Sequence, residues 1–312
     1  MVGERVAVLL MAYGGPASLD EVEPYLLDVR GGRPATPEFV ADLKSRYAQI
    51  GGRSPIRRLT EAQAAAVQRE LGERFPVYVG MRHWHPYIGS AVERIVADGH
   101  RRAVGIVLAP HYSAMSVGAY EKQLLEAARG RLETALVRSW SDHPKFLAAV
   151  AGRVTQALQR FPSPKSVQVL FTAHSLPERI RALGDPYPDE LEASAAAVAK
   201  LVGLPEWRFA YQSAGATPEP WLGPDVSAVM TELAARSHDA VLIVPIGFVC
   251  DHVEILYDVD VMYRGLAARL GVHLERTESL NDDPLLVEAL AAIARKAAME
   301  RGWVRAGAGA GA

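Results

Sequence analysis

The chain has 312 residues, 49% of them apolar, and its 34 basic and 36 acidic residues leave a formal charge of −2 at neutral pH. That balance offers no electrostatic footprint for nucleic acid, and the length leaves room for one large domain or two smaller ones. A single cysteine, Cys250, excludes an internal disulfide framework and any four-cysteine zinc or iron–sulfur site within one chain.

In chain order, short apolar runs alternate with longer helical patterns. Val6–Met11 reads as a strand: it is too short to cross a bilayer, and it enters Tyr13-Gly-Gly-Pro16 rather than a small-residue cleavage site. Thr60–Arg74 follows as a helix opened by the capping box Thr60-Glu-Ala-Gln63. Then come strand Val77–Gly80, helix Pro86–Asp98, strand Val104–Leu108, helix Val117–Arg129 and strand Thr134–Val137. Helix Pro144–Arg160 leads to strand Val167–Phe171, which ends in Thr172-Ala-His174 and a second capping box, Ser175-Leu-Pro-Glu178. Helices Asp189–Leu201, Asp225–Arg236 and Pro284–Arg301 and strands Arg208–Gln212, Val241–Val244 and Val272–Leu274 complete the alternation. It predicts parallel βαβ units and open sheets. No apolar segment reaches membrane length without charge, so a soluble, cytoplasmic protein without a transmembrane anchor is expected.

Two stretches echo each other, Ile106–Tyr112 and Leu242–Phe248, each a buried strand ended by a proline-containing loop and a helix. They predict two similar α/β domains. The first takes residues 1–140 with a returning C-terminal helix, 284–303; the second takes 141–283. The low-complexity tail 306–312 is expected to be disordered.

Nucleotide chemistry finds no support. Gly14-Gly15-Pro16 lacks a P-loop lysine and the G-x-G-x-x-G spacing, and Pro16 removes a backbone donor. His174 ends a strand where a ligand crevice would open, yet a histidine there can simply bond a backbone carbonyl. Glu254 is either a crevice carboxylate opposite His174 or the N3 member of a capping box begun by Asp251. Asp258, one helical turn on, would share a face with Glu254 and offer a second hard oxygen ligand for a divalent metal. His83 and His85 read as loop residues or a weak metal site, His111 as a cleft wall or a satisfied loop histidine. The loop Thr217–Pro224 is an Ω-loop or a rigid wall with Trp221 as an apolar platform.

Several motifs together are similar to those of the ferrochelatases: Met11–Pro16, Ile50–Pro55, Leu108–Ser113, Thr172–Pro177, Gly184–Pro188, Trp221–Asp225 and Gly247–Glu254. The resemblance runs from Val6 to Trp303. It implies two Rossmann-like domains, each a mostly parallel four-stranded sheet flanked by helices in the chelatase manner. It implies insertion of ferrous iron, as substrate, into a porphyrin, with no organic cofactor and no iron–sulfur cluster. His174 and Glu254 match the family's catalytic pair, and Asp258 an acidic position on its metal path. Met262 stands where some relatives place a further acidic residue.

Tyr13 resembles the tyrosine of ferrochelatases that act on coproporphyrin III to make coproheme. There it would ligate the inserted iron from the face opposite His174. Arg30, Arg46, Ser54 and Tyr120 match residues that bind the propionates of that substrate. Gly31 departs from the second arginine of several relatives, and Arg33 is the candidate replacement. A monomer is expected, in transient contact with a coproheme decarboxylase. The competing readings are a protoporphyrin IX ferrochelatase, a sirohydrochlorin chelatase and a non-catalytic porphyrin carrier.

Overall fold

A computed structural model describes residues 5–215 and 217–305, so the tail expected to be disordered lies outside the described residues. The chain divides into two compact units. One holds the residues up to Pro110, Ala114–Trp140 and those from Asn281 onward; the other holds His111–Ser113 and Ser141–Leu280.

The first unit is built on β1 (Ala7–Ala12), β2 (Val77–Met81), β3 (Arg102–Val107) and β4 (Glu133–Val137), parallel throughout and ordered β2-β1-β3-β4. The second repeats this plan with β5 (Gln168–His174), β6 (Arg208–Gln212), β7 (Ala240–Val244) and β8 (His273–Arg276), ordered β6-β5-β7-β8. β1 is buried at all six positions, the signature of a strand covered on both faces. In each sheet the chain leaves the first strand to one side and returns on the other. Ligand crevices of open α/β sheets form outside the strand ends at such reversals.

Helices flank both sheets. Among the described residues, none is long and apolar enough to cross a membrane. The helix Pro284–Glu300 belongs to the first unit, where it packs on the helix Ile56–Leu71 and on β3 and β4. Asp283 caps it by accepting from the Leu285 amide at 2.9 Å, and Pro284 opens its first turn. Its buried face includes Leu286, Leu290 and Ile293, each burial stabilising by at most about 1.5–3 kcal/mol.

Both expected capping boxes are corrected. Thr60 and Gln63 are buried inside the helix Ile56–Leu71, and the Gln63 amide donates to the Asn281 carbonyl at 2.7 Å. The helix begins a full turn earlier because Pro55 and Ile56 already sit in the helical fold. Ser175 does not cap the helix Arg179–Ala182; its hydroxyl donates to the Leu222 carbonyl at 2.8 Å and ties down the loop after β6. The helix Pro37–Gln49 was not anticipated. Its start is legible in Thr36-Pro37-Glu38, with Thr36 accepting from the Phe39 amide, but only Val40 and Tyr47 are buried, so its apolar stripe is thin.

The loop after β7 reaches the end of β5 through Gly247. A Cβ there would lie 2.6 Å from the Cβ and 3.0 Å from the Cα of Ala173, while the Gly247 amide donates to the Thr172 carbonyl at 3.2 Å. Only a residue without a side chain permits that approach. Gly247→Ala is therefore expected to cost about 1–3 kcal/mol through overpacking. Urea unfolding measures it; a loss below about 0.5 kcal/mol would mean that the loop shifts freely.

Candidate active site

His174 is the last residue of β5, an interior strand of its sheet, and its Nδ1 lies 3.0 Å from Oε2 of Glu254. Glu254 stands on the short helix Val253–Leu256, delivered there by the loop that carries Gly247. An ionised carboxylate only accepts, so Nδ1 carries the proton of neutral His174 and Nε2 holds the lone pair. The side chains are 34% and 30% exposed, enough for a ligand to reach them. Among the described residues, Nε2 of His174 has no hydrogen-bond partner.

Burial opposes charge on His174, but the charge and hydrogen bond of Glu254, with the field of Asp258, outweigh it and raise the imidazole above its ordinary pKa. Burial likewise pushes Glu254 up, but His174 and then His252 hold it far below the ordinary carboxylate range. The pair therefore favours imidazolium beside carboxylate. The capping-box reading of Glu254 is overturned. The N-cap position is His252, and Asp251 instead accepts from the Ser279 hydroxyl at 2.7 Å and pairs with Arg276 at 3.4 Å.

Neighbours hold both partners. The Tyr187 hydroxyl donates to the His174 carbonyl at 3.0 Å. Gln212, fully buried, accepts from the Thr172 hydroxyl and donates to the Glu254 carbonyl, both at 2.8 Å. Trp221 presents its ring edge-on to His174, with centroids 6.5 Å apart, and packs so closely on Gly215 that a Cβ there would lie 2.5 Å from the indole. Of the two readings of its loop, this geometry favours the apolar wall. His252 donates from Nδ1 to the Cys250 carbonyl at 3.0 Å, and its Nε2 is 3.9 Å from Glu254. Gln212 and Ser213 escaped sequence reasoning; Tyr187 and His252 lay within the motifs Gly184–Pro188 and Gly247–Glu254 but were given no role.

Asp258 does not stand beside Glu254 as an open second ligand. The chain passes from the helix Val253–Leu256 into a π-helix, Asp258–Tyr263, and Asp258 is buried with its carboxylate accepting from the Ser213 hydroxyl. Ser213 adopts φ of +59°, a left-handed conformation costly for a residue with a side chain and one that clusters at functional sites. Among the described residues, no three His, Cys, Asp or Glu side chains gather as a ready-made metal site.

In the first unit, Tyr13 follows β1 directly and is 40% exposed. Its ring lies 4.7 Å from that of His83, whose Nδ1 bonds Asp28 at 2.8 Å; Tyr87 donates to the same carboxylate at 3.2 Å. His83 is thus a held loop residue, and burial, only partly offset by Asp28, lowers its pKa. Arg82, missed in the sequence, lies 6.0 Å from the Tyr13 ring and 5.4 Å from the ring of buried Tyr120. Ser54 packs against Gly15, where a Cβ would approach its own Cβ to 2.6 Å, and donates its amide to the Pro16 carbonyl at 2.8 Å. Arg30 and Arg33 each bond the other's carbonyl from Nε at 3.1 Å, around Gly31 and Gly32 at positive φ. Arg46 grips Asp42 one turn back, at 2.9 and 2.8 Å. His111 belongs to the second unit, where Ser194 bonds its Nε2 at 2.7 Å and burial lowers its pKa to about 3.

Comparison with known proteins supplies the rest. The sequence model of one family, Ferrochelatase, matches residues 5–298. A ferrochelatase of Herpetosiphon aurantiacus is 50% identical over 295 residues, covering 92% of this chain and 97% of that one. A coproporphyrin III ferrochelatase of Geobacillus kaustophilus is 40% identical over 312 residues, covering 97% of this chain and 99% of its own. Among solved structures, SirB from Bacillus subtilis with Fe3+ superposes with a TM-score of 0.64 at 13% identity, over 96% of this chain and 97% of that one, a likeness of fold alone. These likenesses define a lyase-type metal chelatase with two parallel α/β sheets. The chain belongs to the ferrochelatase family, and its reaction is the insertion of iron into a porphyrin in haem biosynthesis.

The ion pair has a pH signature. Glu254, depressed when folded, contributes stability above its ordinary value of 4.5 that is lost as pH falls; His174, raised, contributes stability below its ordinary 6.5 that is lost as pH rises through its folded pKa. The melting-temperature difference between wild type and Glu254→Gln is therefore expected to peak between about pH 4.5 and 6.5. Thermal melts across pH measure it, and a difference independent of pH would remove the charged pair.

Proposed function

We propose that the porphyrin is coproporphyrin III, that the product is coproheme, and that His174 and Glu254 carry the proton chemistry. The observation that carries the first part is Tyr13, 40% exposed immediately after β1 in a loop whose neighbours are Arg82 and His83. A phenol offered there is a ligand for ferrous or ferric iron once inserted, since a metal favours the phenolate over the free phenol of pKa about 10. The likeness to coproporphyrin III ferrochelatases at 40% identity supports the same reading. Coproporphyrin carries four propionates where protoporphyrin carries two. Arg30, Arg33 and Arg46 supply guanidinium groups and Ser54 and Tyr120 hydroxyls for them. Arg46 would exchange its Asp42 partner for a propionate, a swap of one carboxylate for another at a half-exposed site.

Insertion replaces two pyrrole N–H protons by one Fe2+. Nε2 of His174, whenever the ring is neutral and held through Nδ1, accepts the two departing protons one after the other, each passing on to solvent before the next. Glu254 stays ionised beside the imidazolium so formed, lowering the cost of that charge, and returns His174 to the same tautomer when the proton passes to solvent. The Glu254 carboxylate is an oxygen donor suited to meet iron as it sheds water, and Nε2 of His174 is a nitrogen donor for it only while it carries no proton. Asp258, held by Ser213, contributes negative field on that path rather than an open coordination position.

His174→Ala is expected to abolish iron insertion while porphyrin binding, followed by fluorescence, survives; near-normal turnover would remove His174 from the chemistry. Arg46→Ala should weaken coproporphyrin binding by about 1–3 kcal/mol, the range for a hydrogen bond to a charged group. Tyr13→Met should change the visible spectrum of bound product more than the affinity for free porphyrin. The deciding measurement is the ratio of kcat/KM for coproporphyrin III and protoporphyrin IX under identical anaerobic detergent conditions. A ratio favouring protoporphyrin IX would overturn the substrate assignment and leave the chelatase chemistry standing.

A further inference from the structure

Arg276 ends β8, far from the imidazole–carboxylate pair in sequence, and its side chain is only 15% exposed. Its Nε and Nη2 bond the two oxygens of Asp260, each at 2.8 Å, in a two-pronged contact. Nη2 also lies 3.4 Å from Oδ1 of Asp251, and Nη1 donates to the Thr277 carbonyl at 3.1 Å. The two carboxylates are not neighbours on one turn. Asp251 lies three residues before Glu254 and Asp260 two residues after Asp258. One guanidinium therefore holds both ends of the stretch that carries Glu254 and Asp258.

The stretch needs such a hold. It is a four-residue helix running into a six-residue π-helix, with wider turns and poorer internal bonding than a continuous α-helix. The Val253–Leu256 helix has no side-chain cap. Its fixings include Gln212 on the Glu254 carbonyl, Ser213 on Asp258 and Ser279 on Asp251, with Arg276 reaching both ends. Stability alone does not explain the choice of residue, because a buried ion pair replaced by apolar side chains is often neutral or better for folding. What arginine uniquely supplies is a rigid planar fork that bonds one carboxylate through both oxygens and reaches a second at the same time.

We infer that Arg276 is a positioning residue of the iron-insertion reaction: by clamping Asp251 and Asp260 it sets where the Glu254 carboxylate meets His174. The inference rests on the reading of Glu254 as a catalytic group. Lysine at this position keeps the charge and loses the fork; asparagine at 260 keeps the shape and loses the charged acceptor.

The test is steady-state iron insertion by Arg276→Lys and Asp260→Asn, with Glu254→Gln as control, at a temperature where circular dichroism shows all three folded. The expected result is a fall in kcat of about 10- to 100-fold for both clamp variants, the usual consequence of removing a group that orients a ligand. The porphyrin KM and fluorescence-measured binding should stay within about twofold. The double variant should lose no more than Arg276→Lys alone, because Asp260→Asn breaks only a contact that Arg276→Lys already breaks. If either variant fails to fold, the other carries the test. Inactive Glu254→Gln with a clamp variant at near wild-type kcat would overturn the positioning role and leave the reading of Glu254 intact. So would a kcat deficit that tracks the folded fraction. Fully active Glu254→Gln would instead remove the reading on which the inference rests.

Discussion

The contact between one imidazole and one carboxylate, 3.0 Å apart at the end of β5, is the constraint around which the second unit is arranged. It holds the imidazole through Nδ1 and joins segments 80 residues apart in the chain. Every support described serves one side of that contact. Tyr187 fixes the backbone of the histidine, Gln212 fixes the backbone of the glutamate, and Gly247 lets the two strand ends approach. The supporting side chains Tyr187 and Gln212 are buried and bonded to the pair's backbone, which makes the arrangement specific as well as costly to disturb.

The first unit shows a related local solution with different chemistry. There a histidine again bonds a carboxylate through Nδ1, His83 to Asp28, but the residue offered outward is a phenol. Arg82, close to the rings of Tyr13 and Tyr120, adds positive charge beside that phenol. The two sheets share one topology and differ in the residues at the end of the first strand of each, His174 in one and Tyr13 in the other.

The inner strands β1, β3, β5 and β7 were legible as apolar runs, because strands buried in parallel sheets read as continuous hydrophobic segments, and the partly exposed outer strands by their place in the alternation. The ends of those runs placed His174 and Glu254 at a crevice, but local pattern left each a structural alternative, and the resemblance to ferrochelatases singled them out. Capping boxes misled. Ser175-Leu-Pro-Glu178 has the right letters, but the serine hydroxyl is drawn to Leu222, a tertiary partner invisible to local pattern. The π-helix at Asp258–Tyr263 left no periodic trace, and for that reason the shared face expected for Glu254 and Asp258 did not form as an open pair. Gln212 and Arg276 escaped notice because their meaning lies in what they touch. A glutamine ending a strand and an arginine ending another are ordinary until the carbonyl of Glu254 and the carboxylate of Asp260 are found against them.

The helix Pro284–Glu300 packs into the first unit although the whole second unit intervenes in the chain. A ribosome makes residues in order, and domains generally fold as they emerge. The second sheet can therefore close while the first still lacks the helix that covers β3 and β4. Until that helix arrives, the apolar surface destined for Leu286, Leu290 and Ile293 faces water or a chaperone. The sheet that bears Tyr13 is thus the last to be completed, and a nascent chain stopped short of Pro284 would carry a finished His174–Glu254 pair on one folded unit and an uncovered sheet in the other.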